Sequence, residues 1–559
     1  MQMVYRRYLG CSFVAAALAL APAARADERS CCGPSAGPPG SEEQGWTMTA
    51  AELAKLGKVK FAISCNAAAQ PVFAQGVAML HSFWFEEADH AFSRVAALDP
   101  SCAMAHWGIA MSLYHPLWAP PTREMLARGA AEVENARASR RRTAREDQYI
   151  AAIAAFYQGW DQRGHAERAL GYLKAMARVH LAYPQDPEAA LFYALALIAN
   201  ASPADHALTD QRRAGEIAEA IFATQPDHPG AAHYIIHAYD YPELASRALA
   251  AARRYARIAP TVPHALHMPS HTFTQVGAWQ ESIDSNLASK AAAHDYGART
   301  LMKGAWEEEL HAMDYLVYAY LQQGQDGAAQ AIVRELATIT QSSPEKSRKS
   351  AYAFDAIPAR YAIERRRWRE AAALEPRPGP FPRAAALTYF ARGYARARLG
   401  DLAGAHADLD TLAATRARLV TSSEEGASAA TFVEIQRLAV AAWIAHAEHR
   451  DDEATPLMRD AADLEDATDD GPITPGPIAR ARELLGELLL ELDQPGPALA
   501  AFNTALAKAP LRFNALLGAA RAARKLGNRA QAEALAHQLD ALCAHNHCDR
   551  PALAELAQR

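Results

Sequence analysis

Cysteine is scarce in this chain, at 7 of 559 residues. That excludes a small scaffold held together mainly by disulfides. Net charge is also nearly absent. Lys and Arg number 57 against 63 Asp and Glu, a formal net charge of -6, so nothing points to nucleic acid as a partner. Glycine (30) and proline (32) stand at ordinary levels, which excludes collagen-like and low-complexity chains. Long β-branched runs are rare. There is no βαβ alternation, no Gly-rich phosphate loop after a strand and no nucleophile elbow, and the chemistries built on those motifs lose their sequence support. Past the N-terminal segment no apolar run is long enough for an integral membrane segment. What remains is an alanine-rich chain, 50% hydrophobic and 21% charged. That composition favours helix almost throughout. The length allows three or four globular domains or one long repeat array.

The first 26 residues have the character of an export signal. Arg6 and Arg7 form a positive start, an apolar stretch runs from Cys11 to about Pro22, and Ala24-Arg25-Ala26 presents small residues for cleavage before Asp27. The expected location is periplasmic or secreted. Leu9-Gly10-Cys11 precedes the apolar stretch, which argues against lipid attachment there. Six cysteines then remain: Cys31, Cys32, Cys65, Cys102, Cys543 and Cys548. Export permits disulfides. Cys65–Cys102, flanking one helical hairpin, is the first expected pair, and Cys543–Cys548 the second.

Periodicity is the decisive signal. Pro226 and Pro260 lie 34 residues apart. In that frame, segment 229–262 places Tyr239 at position 11, Ala248 at 20 and Pro260 at 32. Segment 479–512 places Leu485 and Gly486 at 7 and 8, Ala498 at 20, Phe502 at 24, Ala505 at 27 and Pro510 at 32. Segment 69–102 puts Gly76, Ala88, Phe92 and Pro100 in matching slots, and segments 263–296, 310–343 and 513–546 also fit. Small residues at positions 8 and 20 let two helices approach closely, and the proline at 32 marks the turn. This pattern resembles the tetratricopeptide repeat (TPR) family over about 60–540. The resemblance implies an all-α fold, a TPR-type α-solenoid, in which antiparallel helix pairs stack into a right-handed superhelix.

The expected organisation is a signal at 1–26, a flexible leader at 27–48, an N-terminal solenoid at 49–372, a Pro-rich linker at 373–383 and a C-terminal solenoid at 384–559. Residues 465–478, rich in Asp, Gly and Pro, form a loop before the last repeats.

The resemblance also implies that positions 2, 5, 9 and 12 of each repeat face a concave groove. His233 and His237 occupy positions 5 and 9 of one repeat, and His267 and His271 the same positions of the next. His264 falls at position 2 and Asp240 at 12, while His311 and Asp314 take positions 2 and 5 of the segment from 310. Residues i and i+4 share a helix face about 5–6 Å apart. Each H-x-x-x-H pair is therefore a natural clamp, and two clamps facing one groove would converge on one ion. Imidazole suits zinc, copper, iron and nickel, and copper or zinc is the expected cofactor. Asp240 and Asp314 would orient the imidazoles or ligate directly. Pro269, between His267 and His271, is expected to loosen the second clamp.

Other candidates are weaker. His81, Trp84, Glu86, Glu87 and His90 suit packing and solvation. Trp107, Tyr114, His115 and Trp118 form an aromatic patch suited to the core. Cys543-Ala544-His545-Asn546-His547-Cys548 offers several soft-metal ligands or a disulfide. The basic run Arg137–Arg145 suits a solvated face. Tyr234, Tyr239, Tyr241 and Tyr315 are placed to orient a substrate. Two functions follow. One is an exported solenoid holding a protein, peptide or small ligand in its groove beside a histidine-rich metal site. The other is a metalloenzyme, hydrolytic with zinc or oxidative with copper or iron. No residue is marked as catalytic.

Overall fold

In the computed structural model the described residues are 48–117, 120–421, 426–468 and 474–544, with Cys548, Arg550 and Leu553. The expected export signal, residues 27–47 of the expected leader with Cys31 and Cys32, Trp118, residues 469–473, His545 and His547 lie outside them. The described residues form an all-α solenoid of successive packed helices; the strand pairing among them is one short parallel pair, Ala305–Trp306 with Ser342–Ser343.

The 34-residue frame corresponds to real hairpins. Segment 69–102 holds helices Ala69–His81 and Phe85–Leu98, and segment 229–262 holds Pro229–Ala238 and Ala245–Ile258. Segment 310–343 holds most of Glu307–Gln322, then Asp326–Thr338. Ala481–Glu491 with Pro495–Lys508, and Phe513–Lys525 with Arg529–Cys543, complete the C-terminal pairs. Local chemistry sets the boundaries. Pro100, Pro226, Pro260 and Pro510 each lie just past a helix end, where the missing N–H costs nothing. Pro187, Pro229, Pro263 and Pro495 sit in first turns, where a fixed φ favours helix. Thr143 and Glu146 close a capping box on helix Ala144–Tyr157.

The repeat positions explain the packing. A Cβ on Gly486 would lie 2.8 Å from the Phe502 ring, and one on Gly518 in the next hairpin 2.2 Å from it. Gly76 and Gly108 meet Phe92 in the same way. One aromatic at position 24 thus fills the gap that two glycines open. Cys65 and Cys102 are disulfide-bonded, as the spacing around the first hairpin predicts. Cys543 and Cys548 are not bonded, although the two thiols lie within hydrogen-bonding reach.

The apolar core divides near residues 306–310 and 353–361, and a smaller cluster, from Trp279 to Tyr361, bridges two larger ones. The segment 373–383 is anchored to the body at Arg377, while residues 378–380 are exposed. Arg377 donates to Thr340 O at 2.5 Å and its guanidinium lies 3.5 Å from the Phe354 ring centre. Helix Arg348–Glu364 packs directly on Pro382–Leu399 across this segment. The last repeats also return to the middle of the chain. Buried Arg512 donates to Glu483 at 2.8 Å, Tyr318 at 2.8 Å and Glu364 at 2.6 Å. Gln322 accepts from the Phe513 N–H at 3.0 Å and Leu511 O accepts from Trp279 at 3.0 Å.

Candidate metal centre

Six histidines come together where helices Pro229–Ala238, Pro263–His267, Pro269–Gln275 and Glu307–Gln322 meet. They do not line an open groove, since none of the six is more than 6% exposed. Nor do the two clamps converge on one point. They form two trios, His233/His237/His264 and His267/His271/His311. Within each trio, one ligand atom from each residue lies within 4.8 Å of the others. Each H-x-x-x-H pair has acquired a third imidazole from a neighbouring helix.

The second trio shows why these side chains are held as they are. His267 Nδ1 donates to Asn286 Oδ1 at 2.7 Å. The Asn286 amide is oriented by its own donation to Ser282 O at 2.8 Å. His271 Nδ1 donates to Asp240 Oδ2 at 2.7 Å. With both Nδ1 atoms donating, the two Nε2 lone pairs face each other, 3.0 Å apart. Two buried lone pairs at that distance repel. A proton shared between them resolves the contact, or a metal ion in its place, and the tautomers follow from the network. Three nitrogens at about 2.1 Å from one ion are the usual imidazole arrangement. Pro269 does not pull the clamp apart. Only Met268 separates the two short helices, and the His271 N–H reaches back to Met268 O. Tyr315 stacks on His271 at 5.2 Å between ring centres and meets His267 edge-on.

In the first trio, His233 Nδ1 donates to His81 O at 2.6 Å, which leaves its buried Nε2 without a hydrogen-bond partner. His237 Nε2 is likewise buried and without one. Tyr255 stacks on His233 at 5.0 Å and Phe83 on His237 at 5.2 Å. Phe83 holds a backbone φ of 54°, a conformation that a non-glycine residue keeps only where its surroundings enforce it. Burial pushes His233 down to about 3 and holds His237, His264, His267 and His311 well below the ordinary imidazole range. These five rings are neutral at physiological pH, the form in which imidazole binds metal.

Several candidates take other places. Asp314, expected behind an imidazole, is claimed by buried Arg360 at 3.2 Å. Arg360 also ties Gly476 O and Pro477 O to that point. Tyr239 packs against Gly215 under the Arg247 guanidinium, and Tyr241 accepts from Gln211, so neither joins the cluster. Trp107 is core, among Phe61, Phe73, Tyr149 and Phe192. Arg142 and Arg145 of the basic run pair with Asp147 and Asp186.

Sequence reasoning missed a third buried group. His81 shares Glu188 with His228, at 2.7 and 3.0 Å, and its other nitrogen meets the Tyr234 hydroxyl at 2.8 Å. Burial alone would raise the Glu188 carboxyl, but His228 and His81 together hold it far below the usual range. Both carboxylate oxygens and both His81 nitrogens are used, while the second His228 nitrogen, Nδ1, is buried without a hydrogen-bond partner. The group fixes the carbonyl that His233 needs. Spacings of 107 and 40 residues leave no local sequence signal for it. A cleft reaches the second trio from outside, lined by Asp240, His271, Tyr315, Gly476, Arg480 and Lys508.

No protein-family model matches this chain. No curated protein matches it either. Among solved structures, the chain is similar to the human IFIT1 dimer with m7Gppp-AAAA, at 12% identity and a TM-score of 0.35, covering 83% of this chain and 95% of that one. The human IFIT1 dimer with PPP-AAAA is similar at 11% identity and a TM-score of 0.33, covering 88% and 94%.

Proposed function

We propose that this chain is an exported helical-repeat protein whose ligand is a transition-metal ion, copper or zinc, held by His267, His271 and His311. The observation that carries the reading is the 3.0 Å approach of two Nε2 atoms whose Nδ1 atoms both donate elsewhere. Asp240 and Asn286 are the outer partners that fix ring orientation and tautomer, as metal-bound imidazoles require. The donor set is all nitrogen, which fits borderline ions. Export is supported by the N-terminal signal pattern and by the Cys65–Cys102 disulfide, since such bonds persist in oxidising compartments.

A peptide cannot reach six covered imidazoles, so a protein partner would engage other parts of the solenoid. The metalloenzyme reading is favoured by one observation, the cleft that reaches His271 and Tyr315. A bound ion there would supply Lewis-acid or redox chemistry to a small molecule entering that cleft.

Elemental analysis of the full chain, purified without a tag, tests the proposal beside a His267→Ala/His271→Ala variant. Copper or zinc near one equivalent or more in the parent, reduced in the variant, is the expected result. Equal and negligible metal in both after loading would overturn it.

A further inference from the structure

A cleft on the C-terminal repeats carries a cationic surplus that the histidine cluster does not use. It measures about 270 Å³, near the lower end of small-molecule sites. Its cations are Arg366, Arg521, Arg524 and Lys525, and its carboxylates are Glu487 and Glu491. Four cations thus face two carboxylates, in a chain whose formal net charge is -6. Leu490 and Phe502 supply an apolar wall.

The fold assembles this set from two distant parts of the chain. Arg521 and Arg524 lie three residues apart on helix Phe513–Lys525, a spacing that makes them neighbours on one face. In the 34-residue frame they are positions 9 and 12 of the last repeat. Arg366 follows helix Arg348–Glu364, and it joins them because the last repeats return to the middle of the chain.

The two carboxylates do not cancel the surplus. Glu487 is paired with Arg366 and accepts from the Tyr394 hydroxyl at 3.3 Å. Glu491 is paired at 2.5 Å with Arg398, a further cation outside the lining. Lys525 meets Asp493 at 2.7 Å, but those side chains are 48% and 85% exposed, and exposed pairs of this kind bind weakly. Arginine presents a planar fork of N–H donors that matches two oxygens of a carboxylate, phosphate or sulfate group. A compact oxyanion with two negative charges meets both the charge surplus and the donor geometry.

We propose that this cleft binds a small dianion, a phosphate monoester or a dicarboxylate, through Arg521 and Arg524, with Lys525 and Arg366 adding charge, independently of any metal.

The test is titration calorimetry on the full chain at low salt, with sulfate, succinate and acetate as probes. Saturable one-to-one binding of sulfate or succinate is expected, with acetate at least about tenfold weaker, since it carries one charge. Sulfate alone identifies the phosphate-type ligand, and succinate alone the dicarboxylate. Arg521→Gln/Arg524→Gln should weaken the binding at least about tenfold. Arg137→Gln/Arg140→Gln, an equal loss of charge from exposed positions elsewhere, should leave it unchanged. No saturable binding of either dianion overturns the proposal. So does acetate binding as tightly, or binding that survives the loss of Arg521 and Arg524. Circular dichroism confirms folding of the variants. If the cleft variant does not fold, phenylglyoxal labelling of the parent decides by mass spectrometry. Protection of Arg521 and Arg524 by the dianion supports the site, and equal labelling with and without it overturns the proposal.

Discussion

Asp240 and Asn286 serve adjacent imidazoles by different means. The carboxylate gives His271 both an acceptor and a negative charge, whereas the amide gives His267 an acceptor alone. Losing such an outer partner typically costs about 10–100-fold in metal affinity. Asp240→Ala should therefore weaken the proposed metal binding at the second trio by that factor and leave its capacity unchanged, as measured by competition with a chromophoric chelator. Asp240→Asn keeps an acceptor and should lose less. A second residue-scale effect is pH-dependent. Burial pushes His115 down to about 4 and His165 to about 4. Unfolded histidine takes its proton near pH 6.5, so below that pH the unfolded chain binds protons the folded chain refuses. Stability is complete above about 6.5 and declines as pH falls toward 4, by roughly 1.4 kcal/mol per unit for each such group. Thermal melts of metal-stripped protein should show a flat Tm above pH 7 and a steep fall below pH 6. A Tm unchanged between pH 7 and 5 would contradict this. Reading single residues from sequence had a clear limit. The i,i+4 spacing exposed His233, His237, His267 and His271 as pairs. It could not show that His264 would serve the clamp of the preceding repeat, or that Arg360, 46 residues on, would claim Asp314.

Helix pairs were the most legible level, because each is set by neighbours within 34 residues. The prolines past helix ends and the glycines facing Phe92 and Phe502 can be read from the repeat frame. At Gly518 the constraint is closest. A methyl there would sit 2.2 Å from the Phe502 ring, and overpacking of this kind costs about 1–3 kcal/mol. Gly518→Ala should lower the urea midpoint accordingly, without changing metal content. The first hairpin carries a different restraint. The Cys65–Cys102 bond closes a loop with a sequence separation of 37, for which chain entropy gives about 4 kcal/mol. Cys65→Ser/Cys102→Ser should show a loss of that order in chemical denaturation, and an unchanged midpoint would refute the estimate. Less legible was the break at Met268. The proline warned of an interruption, but the backbone resumes helix at once and the clamp survives.

At the scale of the whole molecule, the return of the last repeats was invisible in sequence. Arg512 meets Tyr318 and Glu364 across separations of 194 and 148 residues, and no periodicity encodes such contacts. Proline density suggested a spacer at 373–383, yet Arg377 binds that segment to the body. Removing one partner of a buried ion pair costs about 3–5 kcal/mol. Arg512→Met should therefore loosen the C-terminal repeats, and limited proteolysis should cut first between residues 474 and 544 while the N-terminal repeats stay protected. A cleavage pattern like that of the parent would count against this view. The same contact has a consequence for ancestry. An open solenoid tolerates gain or loss of a repeat, because each hairpin touches only its neighbours. Here a 34-residue insertion between Glu364 and Arg512 would carry Arg512 out of register with Tyr318 and Glu364, and Phe513 out of register with Gln322. Closure thus counts the repeats, and relatives that keep the return contact should vary in loop length but not in hairpin number over this span.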